Sequence, residues 1–267
     1  MLSALKNTVS SVLTPQPLLD ESTESWIIDT FLWAYNEFDG QHLLPSMQFI
    51  LPTAEFFPEQ VNSIEGMAKY VFGQVCQYAQ MQAWPLRLVA PNQISQQTFP
   101  TIVFKDIKRG KEAQLVSASN YVDVSFNPNQ VNQPQDLVAS YAQSLAYINV
   151  LQSRSLPPGG KEFINQAVDL LASFMGFGVM MANTAYQFKG GCGSCYNPYA
   201  NRNASLSEPE LIYVLALLLK ATKQSSNTVS AHLKPHLRSM LKRANKQLNQ
   251  TIKNSAQPML IALTEEM

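Results

Sequence analysis

The sequence predicts an α+β domain in which packed helices surround a small, mainly antiparallel sheet that precedes a central helix. Three observations predict it. Tyr121–Gln152 reads as strand, turn and helix: Val122, Val124 and Phe126 alternate with polar residues, Asn127-Pro128-Asn129 breaks the run, and Leu137, Val138, Tyr141, Leu145 and Ile148 then keep helical spacing along one side. A second long apolar stretch, Glu162–Asn183, reads as another core helix. Short β-prone runs at 86–89, 101–105, 113–116 and 121–126 all come before the central helix, with turn-prone residues between them.

Composition bounds the function. Apolar residues make up 46% of the 267, enough for a full core, while charged residues make up only 14%, against about a quarter in ordinary domains. Lys+Arg and Asp+Glu both count 19, so bulk charge supplies no phosphate-binding surface and a nucleic-acid partner is not expected. Three cysteines do not make a disulfide scaffold. The start lacks a basic segment followed by an apolar core, and the apolar run Leu211–Leu219 is too short to span a bilayer. The expectation is a reduced, cytoplasmic protein with no membrane partner. No repeat or hinge-like linker divides the chain, which reads as a tether over 1–21 followed by a single domain over 22–267.

The elements follow in order. Ser22 or Thr23 is placed to cap a helix carrying Trp26, Ile27, Thr30, Phe31 and Trp33, which ends near Asp39-Gly40. Phe49–Thr53 reads as a short strand leading into the proline-bounded loop Glu55–Pro58. Ile64–Met81 is a helix with Met67, Val71, Val75 and Tyr78 on one side, and Cys76 within it reads as a buried, inert thiol. Pro134 suits the first turn of the central helix, where its missing N–H costs nothing. In the second core helix, Gly176 and Gly178 would each cost about 1 kcal/mol if exposed; close backbone packing against the central helix is the expected compensation. Glu208-Pro209-Glu210 suits a helix N-terminus, and Lys234–Lys253 reads as a final helix with a basic outer face.

Several of these stretches resemble one family. A strand followed by a helix of the form DLVAxxAHExAHxxL, with LPTxxFFP, ExxxDLxxxFxGFGxxxAN and LSEPELxYxLAL in the same order, is similar to a group of uncharacterised bacterial zincin-like proteins. The resemblance covers Trp26–Phe57 and Val122–Lys253 and implies a zincin-like, metallopeptidase-type fold. Where that family carries His-Glu-x-x-His, this chain has Gln143-Ser144-Leu145-Ala146-Tyr147. The glutamate expected as third zinc ligand falls at Asn165, or at Gln166 if the register slips by one. The aspartate four residues later survives as Asp169, expected as a structural hydrogen-bond acceptor.

Two histidines four apart on a helix face one way and bind one zinc, and the glutamate between them polarises the metal-bound water. Gln143 is a neutral amide and a very poor zinc ligand, Tyr147 is a phenol of a type that rarely ligates zinc, and Ser144 cannot replace a carboxylate as general base. The degenerate positions Gln143, Ser144, Tyr147, Asn165 and Asp169 therefore predict no catalytic residues and no bound cofactor. The expected function is an inactive pseudo-metallopeptidase that binds a protein or peptide partner. The alternatives are an active metal-dependent hydrolase with non-standard zinc ligands, and a purely structural interaction protein.

One other cluster can hold metal. Cys192-x-x-Cys195 and His232-x-x-x-His236 have complementary spacing for a Cys2His2 zinc site. Pro235 is expected to start a helix and leave His232 outside it, which leaves three readings open: a closed zinc site, a redox dithiol, and the favoured one, an exposed loop with two thiols.

Overall fold

The computed structural model describes residues 16–59, 61–93, 121–185 and 201–264. Among the described residues the protein is mostly helical with a small two-stranded sheet, an α+β arrangement. Helix α1 spans Glu21–Glu37. Its cap is Asp20, whose carboxylate accepts from Thr23 N at 2.9 Å. The hydroxyls of Ser22 and Thr23, expected to cap, instead donate to that carboxylate, and these bonds hold its pKa well below the ordinary range. Helix α2 (Ile64–Tyr78) is capped by Ser63 and buries Ala68, Val71, Phe72, Val75 and Cys76.

Strands β1 (Leu86–Val89) and β2 (Val122–Ser125) pair in register from Leu86↔Val122 to Val89↔Ser125. They run parallel, which corrects the antiparallel expectation for this pair. Turn-prone residues suggest hairpins. A parallel pair needs a crossover of a dozen or more residues, and the chain between Val89 and Val122 is long enough to supply one. The candidate strands at 101–105 and 113–116 lie outside the described residues. Phe49–Thr53 is not a strand. Its one ladder-like bond, Ile50 N to Gly176 O at 2.9 Å, is made to a helix kink.

The central helix α3 (Pro134–Leu151) starts at its proline and buries Leu137, Val138, Tyr141, Leu145 and Ile148, the side that the spacing indicates. Tyr141 Oη donates to Ala68 O of α2 at 3.1 Å. The Glu162–Asn183 stretch is not one helix. It forms α4 (Ile164–Ala172), a π-helical turn at Ser173–Phe177, and α5 (Gly178–Asn183). Gly176 sits at φ 101°, and a Cβ there would meet Gln48 O at 2.6 Å. The glycines thus admit the 48–50 segment and Leu215, whose Cδ1 would lie 3.1 Å from a Cβ at Gly178; this corrects the expectation that the close approach is to α3. By length and composition Gly160–Asn183 could cross a bilayer, but most of it is buried inside the protein.

Helix α6 (Glu208–Ala221) opens with a capping box between Ser207 and Glu210. All of Leu211–Leu219 is buried, as befits a helix that is apolar all round. Helix α7 (Pro235–Asn254) packs on it with a basic outer face, and a further helix, α8 (Pro258–Thr264), follows. Helices α3 and α4 pack side by side and bring the motif positions together.

Candidate functional site

Gln143, Ser144 and Tyr147 lie half-buried on consecutive turns of α3. Gln143 Nε2 donates to Asp169 Oδ1 of α4 and to Asn203 O of the loop before α6, both at 2.9 Å. Both amide hydrogens are thereby used. Ser144 Oγ donates back to Ser140 O at 2.9 Å, a bond within its own helix.

Burial distinguishes the two third-ligand positions. Asn165 is exposed, while Gln166 is half-buried with its Oε1 shielded and unbonded. Gln166 is thus the inward residue one turn before Asp169.

Asp169 is the hub. It is fully buried and accepts four hydrogen bonds: Oδ1 from Gln143 and from Arg202 Nη1 at 2.7 Å, Oδ2 from Ser205 N at 2.7 Å and Leu206 N at 2.9 Å. Burial pushes its carboxyl above the ordinary value, against the opposing pull of the Arg202 guanidinium and the two backbone N–H groups. Arg202 is itself buried. Its Nε donates to Thr184 Oγ1 at 3.1 Å, its Nη2 to Met181 O at 3.3 Å, and its backbone N to Asp136 Oδ1 at 3.1 Å. Asp136, also buried, is likewise pushed up by desolvation. The loop 201–206 is therefore bolted to α3, α4 and the end of α5 by three buried charged side chains, Asp136, Asp169 and Arg202, and an amide. Sequence reasoning misses Arg202, which stands alone between two asparagines in no helical or strand pattern.

The donor set does not fit a zinc ion. At the motif positions stand two carboxamides, a phenol and a hydroxyl, and the one carboxylate is consumed by Arg202 and backbone donors. Among the described residues no three His, Cys, Asp or Glu side chains are grouped to hold a metal. Cys192 and Cys195 lie outside the described residues. His232 precedes α7, with its carbonyl accepting from Asn183 Nδ2 at 2.9 Å, whereas His236 lies in the first turn of α7, 3.1 Å from both carboxylate oxygens of Glu208. The two histidines do not share a helix face.

No family model, no curated protein and no solved structure matches the chain.

Proposed function

We propose that this chain is a non-catalytic, zincin-like module that binds a protein or peptide by its sheet edge. The observation that carries the reading is the Gln143–Asp169 bond across α3 and α4. The position where the resembled family has its first zinc-binding histidine is occupied by an amide that donates one hydrogen to Asp169 of α4 and the other to Asn203 O of the loop before α6, and this supports a framework retained without its chemistry.

The sheet edge supports the binding half of the reading. Val122 N donates to Pro85 O at 2.8 Å. In this register the N–H and C=O of Arg87 face β2, and those of Leu88 face away from it. A cleft of about 630 Å3 adjoins β1, lined by Leu86–Val89 and walled by Phe72 and Gly73 of α2 and by Phe126. An extended peptide can add to such an edge through main-chain bonds, with side chains in the cleft giving specificity.

Selection of peptides from a displayed random library, followed by amide exchange on the complex, tests this reading. A bound peptide is expected to slow exchange at Leu88. Peptide cleavage by the purified protein, or a peptide that binds without altering Leu88, would contradict it.

A further inference from the structure

Gly73 lies inside α2, where glycine weakens a helix relative to alanine, yet nothing in the fold calls for one. Its φ is not positive, and a Cβ there would meet nothing within 4 Å. Gly73 does line the cleft beside β1, and glycine also serves where a ligand comes close to the backbone. We infer, resting on the reading of β1 as a peptide-binding edge, that the peptide anchors through a bulky apolar side chain seated over Gly73 and sets a carboxylate two residues away, against Lys69.

The walls select for both features. Glu65, Lys69, Phe72 and Gly73 recur at helical spacing and give the cleft one stripe of α2. Long side chains stand at Glu65 and Lys69 and none at Gly73, so the stripe leaves room at its far end, where Phe72 and Phe126 also line the cleft. Leu86, Leu88 and Phe126 are half-buried against the core, which makes the surroundings of that room apolar. Arg87 stands on the opposite face of β1, and its guanidinium is held by both carboxylate oxygens of Asp123, at 2.8 and 3.1 Å. Lys69 is exposed and forms no ion pair among the described residues, so its charge is open to a peptide carboxylate.

Spacing links the two contacts. Glu65 to Gly73 covers about 12 Å of helix, and Leu86 to Ala90 covers about 13 Å of strand, so the two walls match in length and suit an extended segment laid between them. One turn of about 6 Å separates Gly73 from Lys69, and two residues of strand advance about 6.6 Å on one face. A side chain over Gly73 therefore brings the next one on the same face beside Lys69.

Two fluorescein-labelled peptides probe the motif by anisotropy with the full-length protein: Thr-Val-Thr-Phe-Thr-Glu-Thr-Val and Thr-Val-Thr-Glu-Thr-Phe-Thr-Val, which offer the two residues in either order. One of them is expected to bind saturably and to slow amide exchange at Leu88. Replacing its phenylalanine with alanine, or its glutamate with lysine, is expected to weaken binding at least about tenfold. Gly73→Leu puts a good helix former into open space and is expected to lower affinity by a similar factor without lowering the melting temperature. Lys69→Glu is expected to reverse the preference, so that the lysine peptide binds better than the glutamate peptide. Undiminished affinity in Gly73→Leu, or no reversal in Lys69→Glu, with exchange at Leu88 still slowed, would overturn the anchor and leave strand addition standing. Failure of both peptides to bind would overturn the motif, and if peptides selected from the random library also left Leu88 unchanged, strand addition would fall with it.

Discussion

Asp169 and Arg202 form a fully buried ion pair at 2.7 Å, and such pairs respond asymmetrically to mutation. Removing one partner strands the other's charge, whereas replacing both with apolar groups of similar size is tolerated. Asp169→Asn is expected to cost about 3–5 kcal/mol of unfolding free energy by urea denaturation, and Asp169→Leu combined with Arg202→Met less than that single change. A loss below about 1 kcal/mol in Asp169→Asn would show that the hub does not hold the loop. Cys76 gives a second test at this scale. Burial pushes its thiol up to about 12, so at neutral pH it carries almost no thiolate, the reactive form. In a Cys192→Ser/Cys195→Ser variant, a thiol-specific reagent is expected to label nothing until the chain is unfolded; rapid labelling of the native variant would place Cys76 at the surface.

Two glycines test the elements. Gly176 holds a positive φ beneath the Gln48 carbonyl, where any side chain collides. Gly176→Ala is expected to destabilise by about 2 kcal/mol or more, combining backbone strain with the clash. Gly73 lies inside α2, and a Cβ added there would meet nothing within 4 Å. Gly73→Ala is expected to stabilise by about 0.5–1 kcal/mol, because alanine there restricts the unfolded chain and nothing opposes it in the folded one. Thermal unfolding of both variants checks the pair, and equal effects would mean that the π-helical turn is misplaced. These glycines also show what is legible in sequence. The GFG of Gly176-Phe177-Gly178 announces a close approach, but the apolar run around it reads as one helix, because periodicity carries no record of a backbone carbonyl from residue 48. The central helix and its buried side are legible because Leu137 through Ile148 keep one period and Pro134 marks the start. The direction of β1 against β2 is not, because alternation fixes which face is buried and says nothing about strand polarity. Arg202 is illegible for a similar reason: its partner is fixed by packing of α4 against a loop thirty-odd residues away in sequence.

Across the whole molecule, buried acids of high pKa set an alkaline limit. Burial raises Tyr141 and Tyr213, the latter helped by its bond to Glu24, and raises Cys76. These groups keep their protons in the native state and lose them on unfolding, so the unfolded chain binds fewer protons and stability falls as pH rises. The loss begins near the ordinary thiol and phenol values of about 8.5–10. The melting temperature is expected to decline from about pH 8.5 upward, and less steeply in Tyr213→Phe; a flat profile to about pH 11 would contradict the burial of these groups.

The proposed reading is a zincin-like framework in which hydrogen bonds stand where the resembled family binds metal, and one measurement bears on that proposal directly. Gln143→His, Ser144→Glu and Tyr147→His, combined with glutamate at the inward third position as Gln166→Glu, would restore two histidines, a glutamate and a base on α3 and α4. The parallel variant with Asn165→Glu places the third carboxylate on the exposed side. Zinc affinity of each folded variant, measured by competition with a chelating dye, is expected to exceed that of the wild type by at least about a hundredfold in the Gln166→Glu form, with a smaller gain in the Asn165→Glu form. No gain in either variant would mean that the α3–α4 pair is not the remnant of a zinc site.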